Sequence, residues 1–204
     1  MSDEAIFSLN GSVNKQNCRY WAPTNPHQLH KWPLHSPQVV LWCAISAQGV
    51  IGPYFFEGDD GVFVTVNAER YNHMLETFFL SEMRRCNWNM ARAWFQQGGA
   101  TAHTARLPTN TLCAAFPGRL LSRFGDIQWP SNSPELTAAD FFLWGYLKAQ
   151  DLLTPSLTLT ALKMQFVRRL QMLRRTLYVA SWQVYLGDGN NALIVMEGIS
   201  KTLY

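Results

Sequence analysis

The chain has 204 residues, 48% of them apolar and 15% charged, with a formal charge of +3. That is long enough for one domain with a proper core, and the mild positive balance permits nucleic-acid binding without demanding it. No apolar run reaches the roughly 20 residues that a membrane-spanning helix requires, and Cys18, Cys43, Cys86 and Cys113 show neither a close pair nor a zinc spacing, so reduced thiols in cytosol or nucleus are the simplest account.

In chain order, residues 1–9 predict a strand turned by Asn10-Gly11, a strong hairpin signal, with 13–21 as its partner. Residues 22–37 hold four prolines together with His27, His30 and His35. These are read as solvated loop histidines, because nothing there fixes a metal-ligand geometry. Residues 38–46 form a near-continuous apolar run, the pattern of a strand buried on both faces. Gln48-Gly49 turns it into a strand at 50–57. Gly58-Asp59-Asp60-Gly61 makes a further, solvated turn before a strand at 62–66.

Asn67 is a good N-cap for a helix whose Tyr71, Met74, Leu75, Phe78 and Phe79 form an apolar stripe. Arg84, Arg85 and Arg92 follow around Trp88, in a loop that either is solvated or touches a phosphate backbone. A short apolar strand at 93–95 runs into glycines and then a helix, which Pro108 is expected to stop near Leu107 and restart. Another short strand follows near residue 127, then a Pro/Ser/Asn loop and an aromatic-rich helix from Thr137. Thr137 and Asp140 fit an N-cap and an acid at N3, and the helix dipole favours an acid in that first turn.

Leu159, Leu162, Phe166, Leu170, Leu173 and Leu177 mark one amphipathic helix carrying Lys163, Arg168, Arg169, Arg174 and Arg175. No acid occurs between Asp151 and Asp188, so this helix is either a solvated face or a stripe for a DNA backbone. The tail at 192–196 reads as an extra strand or a remnant.

Several segments, in order, resemble the catalytic domain of mariner-type transposases, within the DDE transposase and integrase group. They are Ser-Asp-Glu-Ala at 2–5, Leu-Asn-Gly at 9–11 and Val-Leu-Trp-Cys-Ala-Ile-Ser at 40–46, then Gln-Gln-Gly-Gly-Ala-Thr-Ala-His-Thr-Ala at 96–105 and Ser-Pro-Glu-Leu-Thr-Ala-Ala-Asp-Phe-Phe-Leu-Trp-Gly at 133–145. The resemblance implies an α/β fold: a ribonuclease-H-like mixed sheet flanked by helices over 1–150, then a C-terminal amphipathic helix and divergent tail over 151–204. It implies DNA as partner, a homodimer contact through the 22–37 loop, a nuclear site of action, and Mg²⁺ or Mn²⁺ held by three carboxylates.

Carried over residue by residue, the first metal ligand is Asp3 and the third Asp140, while the second position holds Gly98. Glu135 stands where the family's turn has an aspartate. His103 falls in the matching segment, either as a contact to DNA phosphate or metal-bound water, or as a helix-end histidine bonded to the backbone. Glycine offers no ligand, and two-metal phosphoryl transfer needs paired cations roughly 3.5–4 Å apart. The expectation is therefore a transposase-derived domain that is catalytically silent. The alternatives are a nucleic-acid-binding or assembly module using Arg168, Arg169, Arg174 and Arg175, and a nuclease with one metal on Asp3 and Asp140.

The family's N-terminal DNA-reading region has no counterpart in the sequence, and only Met1 and Ser2 precede Asp3. The first strand is thus expected to be shortened. Amide hydrogen exchange should then show residues 2–9 opening more readily than 38–46, and equal protection in the two would contradict a shortened strand.

Overall fold

The apolar run at 38–46 becomes the spine of a sheet buried on both sides. A computed structural model of the chain describes residues 1–9, 36–46, 48–129, 139–153 and 156–177, with the backbone of 183–186 and 192–195. The expected strand at 13–21, the 22–35 part of the proline loop with its histidines, the 133–138 segment with Glu135 and Thr137, and most of the tail lie outside the described residues.

Strand β1 (Ser2–Ser8) pairs antiparallel with β2 (Gln38–Ser46), with Asp3 opposite Cys43 and Phe7 opposite Val39. β2 in turn pairs antiparallel with β3 (Gly49–Phe55) through an irregularity between Trp42 and Ala44. Gly52 sits at this irregularity with φ +130°, and an added Cβ would lie 2.9 Å from Cys43 Sγ and 3.0 Å from the Trp42 carbonyl. Only glycine fits that crowded, left-handed position. On the far side, β4 (Phe95–Gln96), β5 (Leu120–Ser122) and β6 (Ile127–Gln128) run parallel. A parallel bridge from Ser2 to Gln97 joins the two halves, giving the order β3-β2-β1-β4-β5-β6.

Helices cover both faces, which is why β2 can be apolar at nearly every position. Val40, Trp42 and Ala44 face α1 (Ala68–Met74), a π-helical turn at Leu75–Phe79 and α2 (Leu80–Arg85), with Phe79, Phe95 and Phe116 stacked among them. The amide of Arg70 donates to Asn67 Oδ1 at 2.8 Å, so the expected cap is made. On the other face lie a π-helical turn (Ala139–Trp144), α5 (Gly145–Leu153) and α6 (Leu159–Leu177). Leu162, Phe166, Leu170 and Leu173 of α6 are buried against Phe7, Val39, Leu41 and Cys43. α6 therefore completes the same core as β1 and β2.

Three local expectations change. The helix after the glycines breaks at Ala105, between α3 (Thr101–Thr104) and α4 (Arg106–Ala115), rather than near Leu107. Pro108 then occupies the first turn of α4, where its missing N–H has no acceptor to lose. Residues 62–66 form no strand; only Phe63 bridges to Glu57. β5, at Leu120–Ser122, was too short and too close to Pro117-Gly118 to give a periodic signal. In the tail, β7 (Gln183–Leu186) pairs antiparallel with β8 (Ala192–Val195). Among the described residues no helix is long and apolar enough to cross a membrane.

α6 is fastened to β3 by one side chain. Arg174 donates through Nε to the Val50 carbonyl at 2.7 Å and through Nη2 to the Gly52 carbonyl at 2.6 Å. Hydrogen bonds from a charged donor contribute about 1.5–3 kcal/mol each. Arg174→Ala is expected to cost about 2–4 kcal/mol, read in a urea titration as a lower midpoint at unchanged slope.

Candidate functional site

Strand alternation and the Ser2–Gln97 bridge together set the site. Residues paired across parallel strands point to the same face, so Asp3 stands level with Gly98 on the face covered by the Ala139–Trp144 turn. That π-helical turn, a form often found at functional positions, brings two side chains to Asp3. Trp144 Nε1 donates to Asp3 Oδ2 at 2.8 Å, and the Asp140 carboxyl lies within hydrogen-bonding reach of the Asp3 carboxyl. The structure thus brings together the two carboxylates that lie 137 positions apart in the chain.

Their electrostatics follow from that placement. Burial, with the charges of Asp140 and Glu4 adding to it against the Trp144 hydrogen bond, pushes the Asp3 carboxyl up to about 7. Asp140 sits at the open rim, yet partial burial raises its carboxyl above the usual range, opposed by its hydrogen bond with Asp3 and by Lys148. Both carboxyls thus bind a proton more tightly than a free aspartate does. Beside them, a Cβ built on Gly98 meets no atom within 4 Å. The backbone there does not demand glycine, and the space facing Asp3 is open.

Glu4, next along β1, points through the opposite face, where sequence reasoning had assigned it no role. The signal was available in the alternation of the strand. Its Oε1 lies 2.6 Å from His103 Nε2. His103 is 2% exposed, so it reaches neither solvent nor a substrate, and its ring stacks on Tyr71 at 4.4 Å. Burial works against the imidazolium, but the hydrogen bond and charge of Glu4, with Asp3 behind it, outweigh that cost and raise its titration above the ordinary histidine value. His103 Nδ1 makes no hydrogen bond of good geometry, although the Gly98 backbone lies near enough to favour the charged ring.

Below this pair, Tyr71 donates to Gln97 Oε1 at 2.9 Å, and Gln97 Nε2 donates to the His103 carbonyl at 3.0 Å and to Ser122 Oγ at 3.1 Å. The partner of the His103 imidazole is the Glu4 carboxylate, which neither reading of the sequence named. The network ties α3 and α1 to β1, β4 and β5 directly beneath the site.

The basic residues of α6 are placed elsewhere. Arg174 is held by the two β3 carbonyls, Arg169 Nη2 donates to the Gln150 carbonyl at 2.8 Å, and Lys163 bonds Glu57. Arg168 is exposed, and the Arg175 side chain lies outside the described residues. Arg174 would have to break two hydrogen bonds to reach a phosphate.

Among the described residues no set of three His, Cys, Asp or Glu side chains converges to hold a metal ion. Two carboxylates and a glycine do not supply the ligands of a two-cation centre.

The sheet order and the helices on its two faces have counterparts among solved structures. The chain is similar to the Mos1 mariner paired-end complex with Mn, with TM-score 0.62 and 21% identity over 87% of this chain and 49% of that one. It is similar to a pre-cleavage Mos1 transpososome, with TM-score 0.62 and 19% identity over 87% and 50%. The catalytic domain of Mos1 mariner transposase on its own gives TM-score 0.55 and 18% identity over 70% and 66%. The fold is that of a mariner transposase catalytic domain. The chain spans about half the length of the transposases in the two complexes. No protein-family model and no curated protein matches the sequence.

The buried Asp3 has a consequence for stability. Its folded value, about 7, lies above the ordinary 3.8 of an unfolded aspartate, so the folded chain holds the proton more tightly. The stability that Asp3 contributes is then fully present below pH 4, is lost as pH rises from about 4 to 7, and is constant above. Asp3→Asn should remove that component of the slope and raise stability at pH 8 by roughly 4 kcal/mol at most, since each of about three tenfold steps in proton binding is worth about 1.4 kcal/mol. A thermal melt series from pH 4 to pH 8 reads both.

Proposed function

We propose that this chain is a DDE-type domain derived from a DNA transposase, one that engages nucleic acid but does not carry out two-metal cleavage and strand transfer. The observation that supports it is the meeting of Asp3 and Asp140 beside Gly98. Two carboxylates of the resembled set are in place, and the third position carries no side chain in a space able to take one. The similar structures are described as complexes with transposon ends and as solved with Mn or Mg. On this reading DNA is the partner class here, the site of action is the nucleus, and the 22–37 loop mediates a homodimer.

The chemistry follows from charge. Asp3 and Asp140 are the residues that would hold a divalent cation, since two carboxylates about 4 Å apart repel by roughly 4 kcal/mol at an effective dielectric near 20. The pair would hold one cation weakly, while Gly98 offers no carboxylate for the second that two-metal phosphoryl transfer requires. The alternative of a binding module built on α6 draws less support, because Arg174, Arg169 and Lys163 are already bonded within the chain.

The decisive experiment compares the wild-type chain with Gly98→Asp by Mn²⁺ calorimetry and by nicking of supercoiled DNA. The variant is expected to bind Mn²⁺ at least about tenfold more tightly, a gain of roughly 1.4 kcal/mol, while the wild type nicks nothing. Metal-dependent nicking by the wild type, abolished in Asp140→Asn, would overturn the proposal.

A further inference from the structure

The turn that follows β5 carries an arginine and a phenylalanine that no packing explains. Phe95 pairs with Leu120 and Gln96 with Leu121; the Gln97 amide donates to the Leu121 carbonyl at 3.1 Å and its side chain reaches Ser122 Oγ. Arg123 follows Ser122 at the end of β5, where a continuation of that register would set it level with Gly98, one strand beyond it. At about 4.8 Å per strand, its backbone stands roughly 10 Å from Asp3 across the sheet.

The turn is fixed at both ends. The Gly125 amide donates to the Ser122 carbonyl at 3.2 Å, and Asp126 Oδ2 accepts from the Leu120 amide at 3.0 Å. A Cβ on Gly125 would lie 2.4 Å from the Leu120 carbonyl, so only glycine closes it. On this pinned tip Phe124 is 62% exposed, Arg123 is exposed, and the Arg123 guanidinium lies 5.3 Å from the centre of the Phe124 ring. Among the described residues no acid forms an ion pair with Arg123.

We propose that Arg123 and Phe124 hold an unpaired nucleotide of a DNA end, the guanidinium on a phosphate and the ring stacked on the adjacent base. The assignment rests on the nucleic-acid reading above. A planar cation on a ring matches an anionic backbone with a base beside it. Bases inside a duplex are already stacked on their neighbours, so an exposed ring gains most from a base that is unpaired. Stacking of this kind is indifferent to sequence, because every base has a π-face. The rigid turn holds ring and guanidinium in place before the strand arrives, which lowers the ordering cost of binding.

The test uses the full chain and two fluorescent DNA hairpins, one blunt and one with a short single-stranded overhang bearing 2-aminopurine. Anisotropy reads affinity at several salt concentrations, and 2-aminopurine emission reads stacking. Both positions are exposed, and circular dichroism confirms that the variants fold. Phe124→Ala should weaken overhang binding by about 5- to 100-fold and abolish the emission change, leave the blunt hairpin unaffected, and be rescued by Phe124→Trp. Arg123→Gln should lower the salt slope by about one. Equal affinity of Phe124→Ala and wild type for the overhang, or equal losses on both hairpins, overturns this assignment alone. Failure of the wild type to bind either hairpin overturns it together with the nucleic-acid reading.

Discussion

One parallel bridge, between Ser2 and Gln97, holds the site together. It joins an antiparallel group of strands to a parallel group and makes them a single sheet. Because side chains alternate along both strands, it also decides which residues meet. Asp3 and Gly98 fall on one face, Ser2 and Gln97 on the other. A slip of one residue would turn Asp3 into the Tyr71 network and Glu4 toward Trp144. The buried hydrogen bonds of Tyr71, Gln97, His103 and Ser122 act against that slip, since each would leave a polar atom unsatisfied in the interior.

The two faces solve the problem of adjacent carboxylates differently. Asp3 is half-buried under Trp144 with another acid beside it, so it holds a proton more tightly than a free aspartate does. Glu4, one residue later, meets a histidine at 2.6 Å, and the pair favours a proton on the imidazole beside the carboxylate. Burial of an acid is tolerable in either way. Only the first leaves a site whose occupancy depends on protons and cations in solution. Gly98 widens that site without straining the backbone, and the turn at Arg123 borders it one strand away. The result is an open ledge with acid on one side and a guanidinium on the other.

Comparison with the sequence expectations separates two kinds of information. The extent of α6, the cap at Asn67 and the double burial of β2 were all legible, because each depends on local periodicity or a local hydrogen bond. The break at Ala105 was placed too late, because a proline in a first turn looks the same as a proline that ends a helix. β5 and the non-strand at 62–66 were misjudged for a related reason. A strand of three residues carries too little alternation to be seen, and an apolar run at an edge needs a partner before it becomes a strand.

At the site, the sequence by itself determined which residue types are present: aspartates at 3 and 140, and a glycine at 98 where the resembled pattern has an acid. These are matters of composition along the chain and need no coordinates. Only the tertiary structure decided that His103 belongs to Glu4, that Arg174 belongs to β3, and that the strand leading to Arg123 runs beside β4. Each of these follows from pairing between segments far apart in the chain. Hydrogen-bonding groups take whichever partner folding brings within about 3 Å, and no local pattern records who that partner is.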